Sequence, residues 1–575
     1  MHFPSVRFLN GTPDGISSYP RGYSRGMANS LPQNPRILIV GGVAGGMSAA
    51  TRLRRLLEHA EITVIERSGH VSFANCGLPY HVGGVIEDRE SLLLNTSESL
   101  GARFGLKVLT RHEAIKIDRE NKQLVVRDLA QDEVVALDYD VLILSPGARP
   151  VVPPIPGIER ALTLRDIEDT DKMIAAVANA KTAVVIGGGF IGIELAENLR
   201  HRDLAVTVVE AAPQVMTPLD AEMIAPVQDV LREHGVDLRL GTSVASIESD
   251  QVTLADGSTI PADIVVAAIG VRPDVSLAVS AGLELGPNGG IAINENLATS
   301  DESIYAVGDA VEKSDPAGAS RLVPLAGPAN RQGRLVADVI AGRKISERPV
   351  QGTAILGVFG LQVATTGSNE RTLRAAGVPM RIIHTHPANH AGYYPGAEQL
   401  SLKLIVDPAT DEILGAQAVG AEGADKRIDV IATAMRGGLK ASELVDLDLA
   451  YAPQFGSAKD PVNMLGYLDS NLTEGLVETI QWHELDDSRP IVDVRTPAEN
   501  ARDSIPGAIN VELDGLREHL DQIPAGAVVY CQVGLRGYLA ARLLSQHGIK
   551  VVNLDGGMRT WRAGQSSKAA PALVG

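Results

Sequence analysis

Twice in this chain a short apolar strand runs into a cluster of glycines and then into a helix: RILIV before GGVAGG at 36–46, and TAVVI before GGGFIG at 182–192. Each time, strand, glycine turn and helix lead on to a next strand. In both copies that next strand ends on a carboxylate. EITVIE stops at Glu66, 20 residues after Gly46, and AVTVVE stops at Glu210, 18 residues after Gly192. Such a turn lets backbone N–H groups approach a pyrophosphate, whose charge the helix N-terminus stabilises. The carboxylate can then accept from a ribose 2′-OH. Gly187, Gly189 and Gly192 fill the second copy completely. The first reads Gly41, Val43, Ala44, Gly46, with Val43 where a second glycine is expected, and glycine-rich loops also occur as plain turns. Glu210 repels a 2′-phosphate, so NADH is expected over NADPH.

Two dinucleotide sites in one chain suggest a relay between two redox cofactors, one of them a flavin. SIYAVGDAVE at 303–312 places Gly308 and Asp309 at a strand end, where a carboxylate can meet a polyol. VLILSPGARP and IVVAAIGVRPD bring Gly147 and Gly270 to strand-to-glycine turns that close such domains. Over about 35–465 these segments resemble the flavin-dependent pyridine nucleotide–disulfide oxidoreductases. The resemblance implies FAD at the first turn and Asp309, NADH at the second, and an FAD domain interrupted by the NADH domain.

Composition restricts the rest. A net charge of -18 makes the chain a poor partner for nucleic acid or an anionic membrane. No run of 18 apolar residues occurs, and residues 1–34 read as a disordered lead, within which Met27 could be the true start. Only two cysteines, Cys76 and Cys531, stand 455 positions apart, which argues against a secreted disulfide scaffold and for a reducing cytoplasm.

Cys76 lies in VSFANCGLPYHVGG, near the start of what reads as a short helix, whose free N–H groups are expected to lower its pKa. No thiol follows within the next residues, so sulfur bonding must be to a substrate or to the distant Cys531. SFANCGLPY looks like the single-cysteine branch of the family, which includes coenzyme A-disulfide reductases, persulfide reductases and NADH oxidases or peroxidases. By that resemblance Cys76 carries a mixed disulfide or a sulfenic acid. Ser72 and Asn75 beside it are candidate substrate contacts. Arg52 and Arg55 share a helix face at i,i+3 and could meet coenzyme A phosphates, although solvated charges explain them equally well.

HPANHAGYYPGAEQL and YAPQFGSAKDPVNMLGY carry Tyr393, Tyr394, Tyr451 and Lys459. A tyrosine OH near a leaving sulfur could donate a proton. Both segments resemble those of coenzyme A-disulfide and persulfide reductases, where tyrosines reach the other subunit's cysteine, implying a homodimer. Tyr451 matches best, while Tyr393 and Tyr394 remain alternatives. His384, His386 and His390 lack completing ligands nearby, so no metal is expected and turn or interface roles are.

Beyond 477 the pattern restarts as a compact α/β unit. Cys531 stands between the strand AVVY and an amphipathic helix, in a loop CQVGLRG whose N–H groups can surround a sulfur anion, with Arg536 adding positive charge. DVR at 493–495, Glu499, PGAIN at 506–510, Gly556-Gly557 and Trp561 resemble a rhodanese domain, although Asp503 and Ser504 replace the common glycine–histidine. Rhodaneses move sulfane sulfur as Cys–S–SH.

The expected architecture is α/β: two Rossmann-like nucleotide-binding domains, an α+β dimerisation domain and a C-terminal rhodanese-like α/β domain. The expected limits are 35–150 with 295–340 for FAD, 151–294 for NADH, 341–465 for dimerisation, 466–477 as linker, 478–566 as rhodanese and 567–575 as tail. The expected activity is NADH-driven, FAD-dependent reduction of coenzyme A persulfide, polysulfide or coenzyme A disulfide at Cys76. Coenzyme A then acts as substrate or retained carrier, and Cys531 handles sulfane sulfur. An NADH peroxidase or oxidase and a non-catalytic redox sensor are the alternatives.

Overall fold

The structure is a computed structural model and describes residues 31–486 and 488–568. Residues 1–30 of the expected lead and 569–575 of the expected tail lie outside the described residues.

The first sheet is parallel throughout, in the order Ile304–Ala306, Val141–Leu144, Arg36–Val40, Glu61–Ile65, Lys107–Leu109. Strands covered on both faces read as continuous apolar runs, and RILIV divides its side chains between two cores. Ile37 and Ile39 pack with Ile62, Val64 and Ile143 on one face, and Leu38 and Val40 with Ile65, Leu142 and Leu144 on the other. Helix Ala44–Leu56 crosses helix Ala326–Ile340 so closely that a Cβ on Gly333 would stand 2.2 Å from the Gly45 carbonyl oxygen.

The second sheet is also parallel, ordered Val236–Leu240, Ala205–Glu210, Thr182–Ile186, Ile264–Ala267. The SPGARP and IGVRP arms pair antiparallel across Ala148–Pro150 and Val271–Pro273, tying the two nucleotide units together. A five-stranded antiparallel sheet follows, ordered Ala354–Val358, Leu361–Gly367, Ile413–Gly420, Ser401–Val406, Arg381–Thr385. Helix Pro461–Thr473 packs into its core through Val462 and Leu465, so residues 466–473 of the expected linker are helical. The last sheet is parallel, with Val528–Tyr530 at its centre.

This last unit is docked on the others through buried polar groups. Helix Gly557–Lys568 packs against helix Ala221–Glu233. His384 lies between Asp555 (Nδ1 to Oδ2, 2.7 Å) and Glu222 (Nε2 to Oε1, 3.0 Å). Trp482 Nε1 donates to Glu222 Oε2 at 3.1 Å, and His386 Nε2 meets Thr560 Oγ1 at 2.8 Å. The carboxylates of Asp220, Glu222 and Glu370 converge as a metal site would, but Lys403 Nζ fills the centre at 2.9, 2.6 and 2.7 Å.

No helix among the described residues is long and apolar enough to cross a membrane.

Candidate active site

One cavity of about 2180 Å³ runs between the two parallel sheets, well above the few hundred to a thousand Å³ of an ordinary small-molecule pocket. Its walls carry both glycine turns. Gly41, Val43, Ala44, Glu66, Gly147, Gly187, Gly189, Glu210, Gly270, Gly308 and Asp309 all line it, and so do Cys76, Ser72, Asn75 and Arg55.

The glycines divide by task. Gly41 has φ +98°, and a Cβ there would meet the Ser145 carbonyl oxygen at 2.0 Å. Gly46 and Gly192 do not face the cavity. A Cβ on either would stand 1.9 or 2.0 Å from the carbonyl oxygen of Gly41 or Gly187, so they let helix and turn touch. Gly189 has open space where its Cβ would be, which leaves room for a ligand against the backbone. Both helices begin without a side-chain cap and without an acidic residue in the first turn, as an anion-binding N-terminus requires. Val43, in place of the missing glycine, is the N-cap of the first. Glu66 and Glu210 act alike at the ends of their strands. Glu66 Oε2 accepts from Gly42 N at 2.7 Å, and Glu210 Oε2 from Gly188 N at 2.6 Å.

A cofactor fit can be tested at Asp309. Its Oδ1 is buried and has no hydrogen-bond partner, and burial raises its pKa. An orphaned acceptor of this kind costs free energy unless a donor arrives, and the hydroxyls of a flavin polyol are donors. The residues present therefore fit FAD at the first turn and a second dinucleotide at the other.

Cys76 sits in the 3-10 turn Asn75–Gly77, just before helix Leu78–Gly83, with its side chain open to the cavity. The expected drop in its pKa is reversed. Burial first, then the charges of Glu194 and Asp309, push the thiol up. A helix of six residues is too short to outweigh two carboxylates. Glu194 was not singled out from the sequence, although its place two residues after Gly192 puts it on the second turn of helix Phe190–His201. Tyr80 OH donates to Glu194 Oε1 at 3.2 Å, and the tyrosine is pushed up to about 12 by burial and that carboxylate. Ser72 takes φ +50°, costly for a residue with a Cβ, and its Oγ accepts from Asn95 Nδ2 at 3.3 Å.

Five expected substrate or proton-transfer residues fall elsewhere. Arg52 points away from the cavity into an ion pair with Asp338 (2.7 Å), so it fastens the two crossing helices rather than a phosphate. Its neighbour Arg55 alone keeps to the cavity wall. Lys459 is exposed and does not line the cavity. Tyr393 and Tyr451 also lie outside it, joined OH to OH at 2.8 Å on an exposed surface. Tyr394 instead packs edge-on against His390.

Cys531 is buried in a separate site. Gly557 approaches its loop so closely that a Cβ would meet the Cys531 carbonyl oxygen at 2.5 Å and Gly534 N at 2.7 Å. Gly534 begins helix Leu535–Gln546 at φ +96° with no side-chain cap. Arg536 reaches both Cys531 and Glu499, with guanidinium–carboxylate distances of 2.8 and 2.7 Å holding the Glu499 carboxyl down at about 2. Its charge is thus shared with Glu499. Asp493 accepts from Arg495, Asn500 and Tyr530 OH, bracing the strand ends below.

Comparison with known proteins agrees with this geometry. The pyridine nucleotide-disulphide oxidoreductase model matches residues 35–333, its dimerisation domain 353–461, and the rhodanese-like domain 477–564. The chain is 36% identical over 439 residues to coenzyme A disulfide reductase of Staphylococcus aureus (strain JH9), covering 75% of this chain and 99% of that one. The crystal structure of reduced CoADR-RHD of Bacillus anthracis shares 46% identity at a TM-score of 0.92, over 93% of this chain and 99% of that one. A NAD-dependent persulfide reductase from A. fulgidus shares 39% at 0.87, over 92% and 100%. With two nucleotide turns, a dimerisation sheet and a second cysteine in a glycine-lined loop, this chain belongs to the pyridine nucleotide-disulphide oxidoreductase family and carries a rhodanese-like domain.

Proposed function

We propose that the protein is an FAD-dependent, NADH-driven reductase of coenzyme A persulfide, coenzyme A disulfide or polysulfide, acting through Cys76. The observation that carries this is a lone thiol opening into a cavity that both nucleotide turns line. Gly41, Val43, Ala44, Glu66 and Asp309 would hold FAD, and Gly187, Gly189 and Glu210 NADH. Bound FAD would take the electron pair of NADH and deliver it to sulfur held on Cys76.

The chain's own part is nucleophilic. Cys76 Sγ, as thiolate, attacks the inner sulfur of a persulfide. The S–S bond breaks, hydrosulfide leaves, and Cys76 remains joined to coenzyme A through a new disulfide. Two electrons and a proton then restore the Cys76 thiolate and free coenzyme A as its thiol. With coenzyme A disulfide the first leaving group is the coenzyme A thiolate instead. Ser72, Asn75 and Arg55, which line the same cavity, would contact the incoming thiol. The protein works as a homodimer in which Tyr393 and Tyr451 serve the partner's cavity. Cys531 takes sulfane sulfur from a donor as a persulfide and passes it to the coenzyme A carrier or to Cys76.

Anaerobic stopped-flow of the NADH-reduced protein against each acceptor tests this, following flavin reoxidation and sulfide together. Rapid reoxidation with persulfide, lost in Cys76→Ser, is expected. Undiminished sulfide release from Cys76→Ser, or fast turnover only with peroxide or oxygen, would overturn it.

A further inference from the structure

Behind Asp309 lie three polar side chains that neither glycine turn accounts for. Lys313 is only 2% exposed, and its Nζ donates to the Gly308 carbonyl oxygen at 2.6 Å. The N–H of the same glycine donates to Gln332 Oε1 at 2.8 Å, and Gln332 Nε2 in turn donates to Glu347 Oε1 at 2.6 Å. Gly308 is thus gripped at both its N–H and its C=O, at φ +85°. The next residue is Asp309, whose buried Oδ1 has no partner.

A buried ammonium carries a heavy desolvation cost, so its retention here calls for a role. A short apolar side chain would fill the space without that cost. Burial also favours the neutral form of Asp309, whereas an acceptor for hydroxyl donors works best ionised, and Lys313 is the cation that opposes burial.

We propose that Lys313 and Gln332, backed by Glu347, are positioning residues that hold the Gly308–Asp309 turn and keep the Asp309 carboxylate charged for the polyol hydroxyls of FAD. This rests on the reading that the first glycine turn takes FAD. The charged groups around the turn come from several elements. Lys313 follows it in sequence, Arg331 lies on helix Ala326–Ile340, Glu347 lies beyond that helix, and Cys76 faces Asp309 across the cavity.

The test is FAD release from full-length holoenzyme, read by flavin fluorescence on dilution from alkaline to acid pH, for wild type, Lys313→Met and Lys313→Gln. Lys313→Met loses both the hydrogen bond and the charge. Its FAD dissociation constant is expected to rise about tenfold, the weight of one hydrogen bond to a charged group. Its acid-side release is expected to move to higher pH, because Asp309 has lost its facing cation. Lys313→Gln keeps an N–H donor without the charge, so affinity recovers at high pH while the shifted acid limb persists. A merely structural lysine would lower thermal stability without moving that limb.

Wild-type affinity and pH profile in both variants would overturn the proposal, as would lost stability with an unmoved limb. Should Lys313→Met not fold, Lys313→Gln reads the same limb. A wild-type protein that neither retains nor takes up FAD would defeat the cofactor reading itself, a result distinct from either.

Discussion

Cys76 shares its cavity with Glu194 and Asp309, and both carboxylates, together with burial, hold its thiol above the ordinary range. The attacking species is the thiolate, so the chain places its nucleophile where ionisation is opposed until charge in the site changes. Replacing Glu194 by Gln removes one of the two negative charges without emptying its space. In a Cys531→Ala background, the pH midpoint for alkylation of Cys76 by iodoacetamide should then fall. Tyr80, pushed up partly by the same carboxylate, should ionise at lower pH as well, visible as tyrosinate absorbance. An unchanged alkylation midpoint would remove Glu194 from the causes and leave burial and Asp309.

The tyrosines answer to a different readout. Tyr451→Phe breaks the 2.8 Å contact with Tyr393 and removes a candidate proton donor. Turnover should drop by about a hundredfold, the lower range for lost acid catalysis, with flavin content unchanged. Full activity would remove the Tyr451 hydroxyl from the mechanism.

At the scale of elements, the two glycine turns were legible from the sequence because strand, turn and helix are each written in contiguous residues. Glycine position and the family resemblance together pointed to both nucleotide units, and Val43, the mismatch in the first turn, stands as the N-cap of its helix. Contacts between elements were not legible in the same way. Arg52 and Arg55 look equivalent on one helix face, yet Asp338, almost 300 residues later, claims only the first. Likewise the pKa of Cys76 is set by Glu194 and Asp309, which no local pattern associates with it. The glycines supply a paired prediction. Gly192→Ala would press a Cβ to 2.0 Å from the Gly187 carbonyl, whereas Gly189→Ala meets nothing within 4 Å. Overpacking of that kind costs about 1–3 kcal/mol, so Gly192→Ala should lower the denaturation midpoint. Gly189→Ala should leave it in place and raise the KM for NADH instead. Equal loss of stability in both would contradict this division of labour.

For the whole molecule, the least legible feature is the junction that fixes the rhodanese-like unit to the nucleotide and dimerisation sheets. Its charges come from Asp220, Glu222, Glu370, His384, Lys403 and Asp555, each an ordinary polar residue in its own segment. Lys403 even sits inside the strand Ser401–Val406, where alternation gives no hint that it is fully buried. Removing one member of such a buried set leaves the others uncompensated, at about 3–5 kcal/mol, so Lys403→Met should loosen the dock severely. His384 makes the junction sensitive to pH. Burial alone would lower its pKa, but Asp555 and Glu222 outweigh burial and raise it to about 9. A histidine raised in the folded state contributes fully below its unfolded pKa of about 6.5, and that contribution fades as pH climbs through about 9. Hydrogen exchange along helix Gly557–Lys568, which carries the contact with helix Ala221–Glu233, should therefore be slow at neutral pH. After correction for intrinsic rates it should accelerate at alkaline pH, and His384→Gln should exchange fast at both. Protection that is independent of pH in the wild type would show that the ring's charge does not hold the two units together.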